Sequence, residues 1–453
     1  MALERHRDTG QPVQDAPAHR VSERIRLVDA LRGLSLAGIA MVHFGEQYLG
    51  FMPPPGEPYS VHGTADTVLE ALSWTFVRGK GFGLFSFLFG LSFVLQMQHA
   101  EGRRPGKDFR PRFAWRLLIL FAIGWVHGLA YSGDILTVYA ALGIPLILFY
   151  RVPDRWILAL AVLLLVGVPR TVQRVVQGKA TSAGMQSLQT RMNAQAQEHW
   201  HALVEGDVPA IVRFHATAGF RAKWEFQYGF MGRGYQTFGL FLLGLWAGRR
   251  RLFEDVEAHR KLFVRVWRWA GVLTLLIPVA AGLLLAAGAA GRDGEPQPAS
   301  SLPDFSSWAV VAGMGCFDAW NNAMTLFYAA SFALLFMRPW WRGRLALLAP
   351  VGQMALSAYV GQTALGVLVF FGFGLGLLGC FGNTVTMPIG LAVFGLEAWA
   401  CTLWLRHFRF GPLEWAWRSL TWLRPQPFGR APSAAGRSTH SPLNCGSDGR
   451  LGY

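Results

Sequence analysis

Two histidines and an aspartate in the first third of the chain have side chains suited to acid–base chemistry. His127 and Asp134 lie seven residues apart in GWVHGLAYSGDIL, and His43 lies in MVHFGEQ. An imidazole titrates near neutral pH and can act as a general base, and a neighbouring carboxylate can orient it. The other interpretation makes Asp134 an N-terminal helix cap and His43 a histidine of the membrane–water interface. The spacing permits both.

Four further charged residues border the same apolar segments. Asp29 and Arg32 lie three residues apart in RLVDALRG, so they share a helix face and can pair. Arg32 either anchors this helix at the cytoplasmic boundary or binds an anionic group of a cytosolic donor, because a guanidinium matches phosphate geometry. Arg78 and Lys80 in VRGKGFG indicate a water-filled cavity or an anionic ligand near the outer surface. Alternatively, both side chains extend to the surface water.

Known catalytic and metal-binding motifs are absent from the sequence. It contains no P-loop, no G-x-S-x-G elbow and no HExxH. Its four cysteines show no CxxC or CxxH spacing, so we predict neither a zinc site nor a disulfide framework. In RHFRFGPLEWAWR, Glu414 is expected to pair with one of the basic residues that precede it.

The segments that must position these residues are long and apolar. Of 453 residues, 52% are hydrophobic and 15% are charged, whereas a soluble domain has about 25% charged residues. A membrane-spanning helix needs roughly 20 apolar residues. The apolar runs are continuous rather than alternating, which favours helices over a barrel. The predicted fold class is therefore all-α, a polytopic transmembrane helix bundle of about ten spans.

The predicted spans define five regions of the chain. The spans are placed at residues 28–49, 75–97, 113–131, 135–150, 156–169, 234–248, 269–289, 307–336, 350–378 and 384–405. The regions are a polar cytoplasmic N-terminus (1–26), a first bundle of five spans (27–169), an extracytoplasmic helical loop (170–233), a second bundle of five spans (234–423) and a disordered cytoplasmic tail (424–453).

Basic residues are concentrated in alternate loops. HAEGRRPGKDFRPR, RRRLFEDVEAHRKLFVRVWR and RPWWRGR all fall on one side of the predicted bundle, whereas residues 45–66 contain no Lys or Arg. The positive-inside rule places the basic side in the cytoplasm. An even number of spans then puts both termini in the cytoplasm of a bacterial cell (inner) membrane. The net charge of +15 follows from these loops, so we predict the lipid bilayer as a partner and no nucleic acid.

The same stretches resemble the YeiB-like family of bacterial membrane proteins, a family of unknown function. They run in family order from about residue 24 to 423 and are RIRLVDALRGLSLAGIAMVHF, GKGFGLFSFLFGLSF, GWVHGLAYSGDILTVYAALGIPLILFYR, GRGYQTFGLFLLGLWAGR, PVGQMALSAYVGQT and FRFGPLEWAWRSLTW. The resemblance implies a conserved bundle in the cell membrane. His127 and Asp134 match the YeiB-like pattern itself.

The opening helix of that family is similar to membrane acyltransferases of the heparan glucosaminide acetyltransferase and sugar O-acyltransferase types. Those enzymes pass an acyl group from cytosolic acyl-CoA to an acceptor across the bilayer, using a membrane-embedded histidine. Asp29, Arg32 and Gly33 match their opening motif, and His43 falls where the sugar O-acyltransferases have a first-helix histidine. The similarity implies an acyl-CoA donor and a catalytic histidine.

The leading hypothesis is therefore transfer of an acyl group from cytosolic acyl-CoA to a cell-envelope glycan, lipid or small metabolite. His127 or His43 would act as the base, Asp134 would orient it, and Arg32 with the basic inner loops would bind the donor. No cofactor other than this donor, and no metal, is expected. The main alternative is a transporter or exporter of a small solute, because charges within the membrane and interrupted helices suit that function equally well. A non-catalytic membrane scaffold is the third.

Overall fold

The computed structural model describes residues 16–50, 53–57, 59–103, 108–177, 182–229, 231–289 and 308–430. All regular elements in these ranges are helices, which confirms the predicted all-α class. The continuous apolar runs explain this, because a helix satisfies its backbone hydrogen bonds within one segment and lipid can supply none.

Eighteen α-helices account for the described chain. The first ten are α1 (Ala16–Gly45), α2 (Thr64–Phe76), α3 (Lys80–Arg103), α4 (Arg110–Ala130), α5 (Leu136–Leu148), α6 (Asp154–Leu165), α7 (Val168–Gln177), α8 (Ser182–Glu205), α9 (Val208–Ala216) and α10 (Ala218–Tyr228). The remaining eight are α11 (Arg233–Arg249), α12 (Arg260–Ala289), α13 (Trp308–Phe336), α14 (Pro339–Leu345), α15 (Ala349–Gln353), α16 (Ala355–Phe370), α17 (Asn383–His407) and α18 (Pro412–Trp422).

Five helical segments of the described chain are long and apolar enough to cross a membrane: α1, the α2–α3 segment, α4, α12 and α17. Two bent pairs raise the total to seven; α6 and α7 meet at 42°, and the α14–α15 segment meets α16 at 79°. The predicted number of ten spans is therefore not confirmed. The other three predicted spans lie on α5 and α11, which have 13 and 17 residues, and on α13, where Asp318, Asn321 and Asn322 interrupt the apolar run.

Helix α1 lies at the centre of the bundle and packs against α3, α15, α16 and α17. A close crossing between α3 and α11 depends on one glycine from each helix. A Cβ at Gly90 would overlap the carbonyl oxygen of Phe241, and a Cβ at Gly244 would overlap that of Phe87. Small residues of this kind let two membrane helices pack backbone to backbone. The close crossing holds α11 in the interior although it is short.

Helices α8 to α10 cover the end of the bundle at which α1 and α4 end. They lie within the predicted extracytoplasmic loop, and α8 is the longest of the three with 24 residues. Helix α9 packs against α4, and Trp200 and Leu203 of α8 share an apolar cluster with Phe370 and Phe371 at the end of α16. This end of the bundle is therefore capped by folded chain.

The two predicted terminal segments are only partly described. Helix α1 already begins at Ala16, within the segment predicted as a polar N-terminus. Residues 424–430 of the predicted tail fold back on the bundle, where Phe428 contacts the rings of Phe408 and Trp415 at 4.6 and 5.1 Å. Residues 1–15 and 431–453 lie outside the described ranges.

Candidate functional site

The turn between α4 and α5 brings His127 and Asp134 together. Nδ1 of His127 lies 2.8 Å from Oδ1 of Asp134. The same carboxylate accepts hydrogen bonds from the backbone N–H groups of Leu136 and Thr137, both at 3.1 Å, and from the Thr137 hydroxyl at 2.8 Å. Asp134 therefore both contacts the histidine and caps α5, so its role as a helix cap does not exclude a role in orienting His127.

The pair is buried and its protonation follows from its surroundings. His127 is 7% exposed and Asp134 is 1% exposed, and Nζ of Lys223 in α10 lies 3.6 Å from Oδ2 of Asp134. Burial by itself raises the pKa of the Asp134 carboxyl, but the His127 hydrogen bond and the Lys223 charge outweigh it and hold this pKa below its usual value. A charged carboxylate requires Nδ1–H of His127 as donor, which leaves Nε2 of a neutral ring as the basic nitrogen.

Three tyrosines connect His43 of α1 to this pair. We call the five residues the histidine–tyrosine cluster (His43, Tyr48, His127, Tyr131 and Tyr359). The His43 ring centroid lies 5.4, 5.2 and 5.9 Å from those of Tyr48, Tyr131 and Tyr359. Tyr359 also contacts the His127 ring at 5.1 Å. Within the described residues, the buried His43 Nδ1, Tyr48 Oη and His127 Nε2 have no hydrogen-bond partner. Buried polar atoms of this kind normally have one, so the cluster offers three free polar positions to a ligand.

An unusual backbone turn after α1 places Tyr48 in this cluster. Gln47 and Tyr48 have φ values of 47° and 57°, a left-handed conformation that side chains other than glycine adopt at a cost. Gln47 is fully buried, its Nε2 donates to the carbonyls of Tyr59 and Phe381 at 2.7 and 2.9 Å, and its Oε1 accepts from the Gly379 N–H at 2.7 Å. These bonds hold the strained turn in place.

Arg78 lies beside the cluster. Its guanidinium bridges Glu46, three residues after His43, at 2.7 Å and Glu70 of α2 at 3.3 Å. It also lies over the Trp74 ring at 4.4 Å. Arg78 is therefore held by two carboxylates near His43, as a site residue would be, and does not simply extend to water.

Lys80 has a different environment. Its side chain is 1% exposed, so the expectation that it reaches surface water is wrong. Nζ donates to the Trp74 carbonyl at 2.8 Å and lies 4.2 Å from the centroid of the Trp320 ring of α13. The helix breaks before Lys80, at Gly79 with φ of 85°, and this break turns the lysine towards α2 and α13.

The predicted pair of Asp29 and Arg32 forms at the opposite end of α1. Nη1 of Arg32 lies 2.5 Å from Oδ1 of Asp29, and Nη2 donates to the Ser92 hydroxyl at 2.6 Å. Helical rise of about 1.5 Å per residue over the eleven residues from Arg32 to His43 gives about 17 Å. The pair is therefore far from the histidines, and both terminal nitrogens of Arg32 are engaged, Nη1 within α1 and Nη2 in a contact between α1 and α3.

A second histidine pair, which the sequence analysis did not single out, fastens α9 to the end of α4. Nε2 of His199 lies 2.9 Å from Nε2 of His215, and Nδ1 of His215 lies 2.9 Å from the Leu129 carbonyl. A carbonyl only accepts, so Nδ1 of His215 donates and its Nε2 accepts from His199. Burial lowers the pKa of His215 to about 4 and that of His199 well below its usual value, so both rings are neutral at pH 7.

Glu414 of α18 does not make the contact that the sequence predicted. It was predicted to pair with a preceding basic residue, but it caps α16 instead. Oε1 accepts from the backbone N–H groups of Leu356 and Ser357 at 2.6 and 3.0 Å, and Oε2 accepts from the Ser357 hydroxyl at 2.5 Å. A carboxylate at a helix N-terminus satisfies free N–H groups and complements the helix dipole. Glu414 therefore positions α16, the helix that carries Tyr359.

The tyrosines were also missed, and the sequence holds a partial signal for them. Tyr48 and Tyr131 lie within five residues of His43 and His127, so their proximity was open to inference. Tyr359 comes from a distant segment, and no spacing pattern indicates it. In the described part of the chain, no group of three His, Cys, Asp or Glu side chains is arranged to hold a metal ion.

Comparison with known proteins supplies the family. Residues 247–424 match the family described as "Protein of unknown function (DUF418)". The chain is 30% identical over 425 residues to "Uncharacterized protein YxaH" of Bacillus subtilis (strain 168), an alignment that covers 90% of this chain and 97% of that protein. It is 27% identical over 428 residues to "Uncharacterized protein YeiB" of Escherichia coli (strain K12), covering 88% and 96%. The chain therefore belongs to this YeiB-like family of proteins of unknown function, as its motifs predicted.

Proposed function

We propose that this protein is a membrane-embedded acyltransferase in which His127 is the general base and Asp134 orients it. The observation that carries the proposal is the buried 2.8 Å contact between the two side chains, with Nε2 of the same ring free of a hydrogen bond among the described residues. A base held by a carboxylate on one nitrogen and free on the other is the arrangement that activates a hydroxyl for acyl transfer.

In the proposed step, Nε2 of His127 accepts the proton of an acceptor hydroxyl while the hydroxyl oxygen attacks the thioester carbonyl carbon of acyl-CoA. The carbon–sulfur bond then breaks, the sulfur leaves with the bonding electron pair, and the imidazolium returns the proton to the thiolate. The products are an ester of the acceptor and free CoA. The charged Asp134 stabilises the transient imidazolium, and the Tyr48 hydroxyl, which has no partner among the described residues, is the proposed donor to the developing oxyanion.

His43 is the second candidate for the base. Its buried Nδ1 is also free of a hydrogen bond among the described residues, but no carboxylate holds its ring. The Glu46 carboxylate, three residues further along, is paired with Arg78. We therefore assign His43 to binding the acceptor and His127 to proton transfer.

The donor would enter from the opposite end of the bundle. Arg260, Lys261, Arg265 and Arg268 line, with Val264 and Trp269, a shallow and open groove along one face at the start of α12. Phe263 of α12 shares an apolar cluster with Leu31 of α1, so this groove lies at the Arg32 end. Phosphates bound there would lie about 17 Å from His43 along α1, so only an extended donor such as acyl-CoA could bring its acyl group to the histidines.

The proposed orientation places the basic groove and both termini in the cytoplasm of a bacterial cell (inner) membrane, and the histidine–tyrosine cluster near the outer surface. Reporter fusions after residues 60 and 300 should then be extracytoplasmic, whereas fusions after residues 105, 255 and 425 should be cytoplasmic. A cytoplasmic reporter after residue 60 together with an extracytoplasmic one after residue 105 would invert the arrangement and contradict donor entry at the groove.

The second candidate function is transport of a small solute. The observation that favours it is the pair of broken helices, α6–α7 with a bend of 42° and α14–α16 with one of 79°. Discontinuous helices line the substrate sites of many secondary transporters. Such a protein would move its solute without breaking a thioester.

The experiment that separates the two functions uses purified protein in nanodiscs with acetyl-CoA and measures release of the free thiol. The wild-type protein should bind acetyl-CoA and release thiol slowly to water, and the His127→Ala variant should lose thiol release while it stays folded. His201→Ala, at an exposed histidine of α8, is the matched control and should behave as wild type. Absence of both binding and thiol release in the wild type would contradict the acyltransferase proposal, and profiling of envelope metabolites in a deletion strain would identify the acceptor.

A further inference from the structure

A second buried cluster of charges lies between α7, α11 and α13, apart from the histidines. It consists of Arg170 and Arg174 of α7 and Asp318 of α13, which we call the arginine cluster. Arg170, Arg174 and Asp318 are 4%, 1% and 4% exposed, respectively. Arg170 and Arg174 are four residues apart, so they lie on one face of α7 and point to the same carboxylate.

The contacts within this cluster leave most of the guanidinium hydrogens unused. Nη1 of Arg170 lies 2.7 Å from Oδ1 of Asp318, and Nη1 of Arg174 lies 3.1 Å from Oδ2. In the described part of the chain, none of the three nitrogens of Arg174 makes a well-aligned hydrogen bond, and neither does Nε of Arg170. A guanidinium has five N–H donors, so Arg174 retains nearly its whole capacity.

The charges of the cluster do not balance. Two guanidinium groups, which stay protonated in proteins, face one carboxylate, so the cluster has an excess of one positive charge. Arg233 adds a further positive charge that acts on Arg170, and Gly232 beside it packs against the Arg170 side chain. A buried charge without a partner is strongly unfavourable. An anion at Arg174 would remove this cost.

The cluster lies at the break between α6 and α7. Gly167 forms the break with φ of 84°, and the two helices meet there at 42°. Asn322 of α13 donates to the carbonyl of Leu165, the last residue of α6, at 2.8 Å, and accepts from Gln236 of α11 at 2.7 Å. Polar side chains from α11 and α13 therefore hold the end of α6 beside the guanidinium of Arg174.

We propose that the arginine cluster is a binding site for a small oxyanion, a carboxylate or phosphate group, held chiefly by the guanidinium of Arg174. The planar fork of a guanidinium binds two oxygens of such a group at once. Asp318 then fixes the two arginines, and the anion supplies the missing negative charge. This site shares no residue with the histidine–tyrosine cluster, and its existence does not depend on the proposed acyl transfer.

The test measures the melting temperature of the purified protein at constant ionic strength, with sodium gluconate replaced stepwise by sodium sulfate, phosphate or acetate. A ligand that binds only the native state should give a saturable rise on the order of 5 °C at a hundredfold excess over its dissociation constant. Arg174→Gln should abolish the rise. Arg221→Gln, at an exposed arginine of α10, is the matched control and should retain it.

A second variant keeps the proposal testable if Arg174→Gln does not fold. Asp318→Asn leaves two guanidinium groups without a carboxylate and should strengthen sulfate binding by about tenfold, because the anion no longer competes with Asp318. A wild-type melting temperature that sulfate, phosphate and acetate leave unchanged would overturn the proposal. So would an equal rise in wild type and Arg174→Gln, or weaker sulfate binding in Asp318→Asn.

Discussion

Replacing Asp134 by Asn separates its two contacts, the hydrogen bond to His127 and the cap on α5. Asn caps a helix about as well as Asp, so a carboxylate that only capped α5 would be replaced almost silently. In the structure, however, each oxygen of Asp134 faces two donors: Oδ1 faces His127 Nδ1 and the Leu136 N–H, and Oδ2 faces the Thr137 N–H and hydroxyl. The amide of the Asp134→Asn variant places an NH₂ donor at the position of one of these two accepting oxygens.

The expected magnitudes follow from these contacts. If the amide oxygen of the variant accepts from the Thr137 donors, the amide NH₂ faces Nδ1 of His127. Nδ1 can accept from this NH₂ only in the tautomer that has its proton on Nε2. That tautomer is no longer a base, and the same change in a serine-protease triad costs about 10⁴-fold in rate. We expect Asp134→Asn to lower thiol release from acetyl-CoA by about 10³- to 10⁴-fold, roughly 4–5.5 kcal/mol of activation free energy. Loss of hydrogen bonds to a charged group should lower the free energy of unfolding by about 1–3 kcal/mol.

The assay combines thiol release with the melting temperature of each variant in nanodiscs. Thr137→Val is the matched control, because it removes one hydroxyl donor to Oδ2 and leaves the contact between His127 and Asp134 in place. It should reduce stability by about 1 kcal/mol and keep activity within about threefold. Full activity in Asp134→Asn would refute the assignment of Asp134 as the orienting residue, and equal losses of activity in both variants would show that only the cap matters.

Three further predictions test the surroundings of the cluster. His215 has a pKa lowered from 6.5 to about 4 by burial, so only the unfolded chain gains this proton as the pH falls from 6.5 to 4. The free energy of unfolding should therefore fall by up to about 3 kcal/mol across that window. In His215→Gln the fall measured between pH 7 and pH 5 should be smaller. An unchanged dependence of the free energy of unfolding on pH would contradict the role of His215. Glu414→Gln weakens the cap of α16 and should lower the free energy of unfolding by about 1–3 kcal/mol, whereas an unaltered melting temperature would rule the cap out as a stabilising contact. A Cβ at Gly366 would overlap the Tyr48 ring, so Gly366→Ala should reduce thiol release by about 10²-fold. The control is Gly395→Ala, whose Cβ meets no atom within 4 Å and which should be neutral. Equal activities of the two variants would place Tyr48 outside the site.

The parts of the site that the sequence predicted correctly are local ones. His127 and Asp134 lie on either side of a short turn between antiparallel helices, so their spacing permitted the contact that the structure contains. Asp29 and Arg32 share one helix turn, and they pair as predicted. Interactions between residues within seven positions of each other depend on helix geometry, which the apolar pattern reveals.

The incorrect or missing predictions depend on long-range packing. Lys80 was placed in a continuous span, but the break at Gly79 turns it to Trp320, far away in the chain. Glu414 was given a neighbouring partner, whereas its partners on α16 precede it by 57 and 58 positions. Contacts of this range are fixed by how the helices stack. The spacing of residues in a single sequence does not reveal that stacking. The predicted number of ten spans is not confirmed for a related reason, because α11 is buried within the bundle and is too short to be identified as a span by its length.

The hydrogen bonds of Gln47 affect when the histidine–tyrosine cluster can be completed during synthesis. The strained turn that places Tyr48 is held by Gly379 and Phe381, which follow Gln47 by 332 and 334 positions, and Tyr359 comes from the same late part of the chain. Helices inserted early therefore carry both histidines but lack the contacts that shape their surroundings. The ribosome adds about 5–20 residues per second, so the incomplete site persists for tens of seconds. Chains that terminate before α16 is made would lack Tyr359 and the contacts that hold the Gln47 turn, and their histidine–tyrosine cluster would stay incomplete.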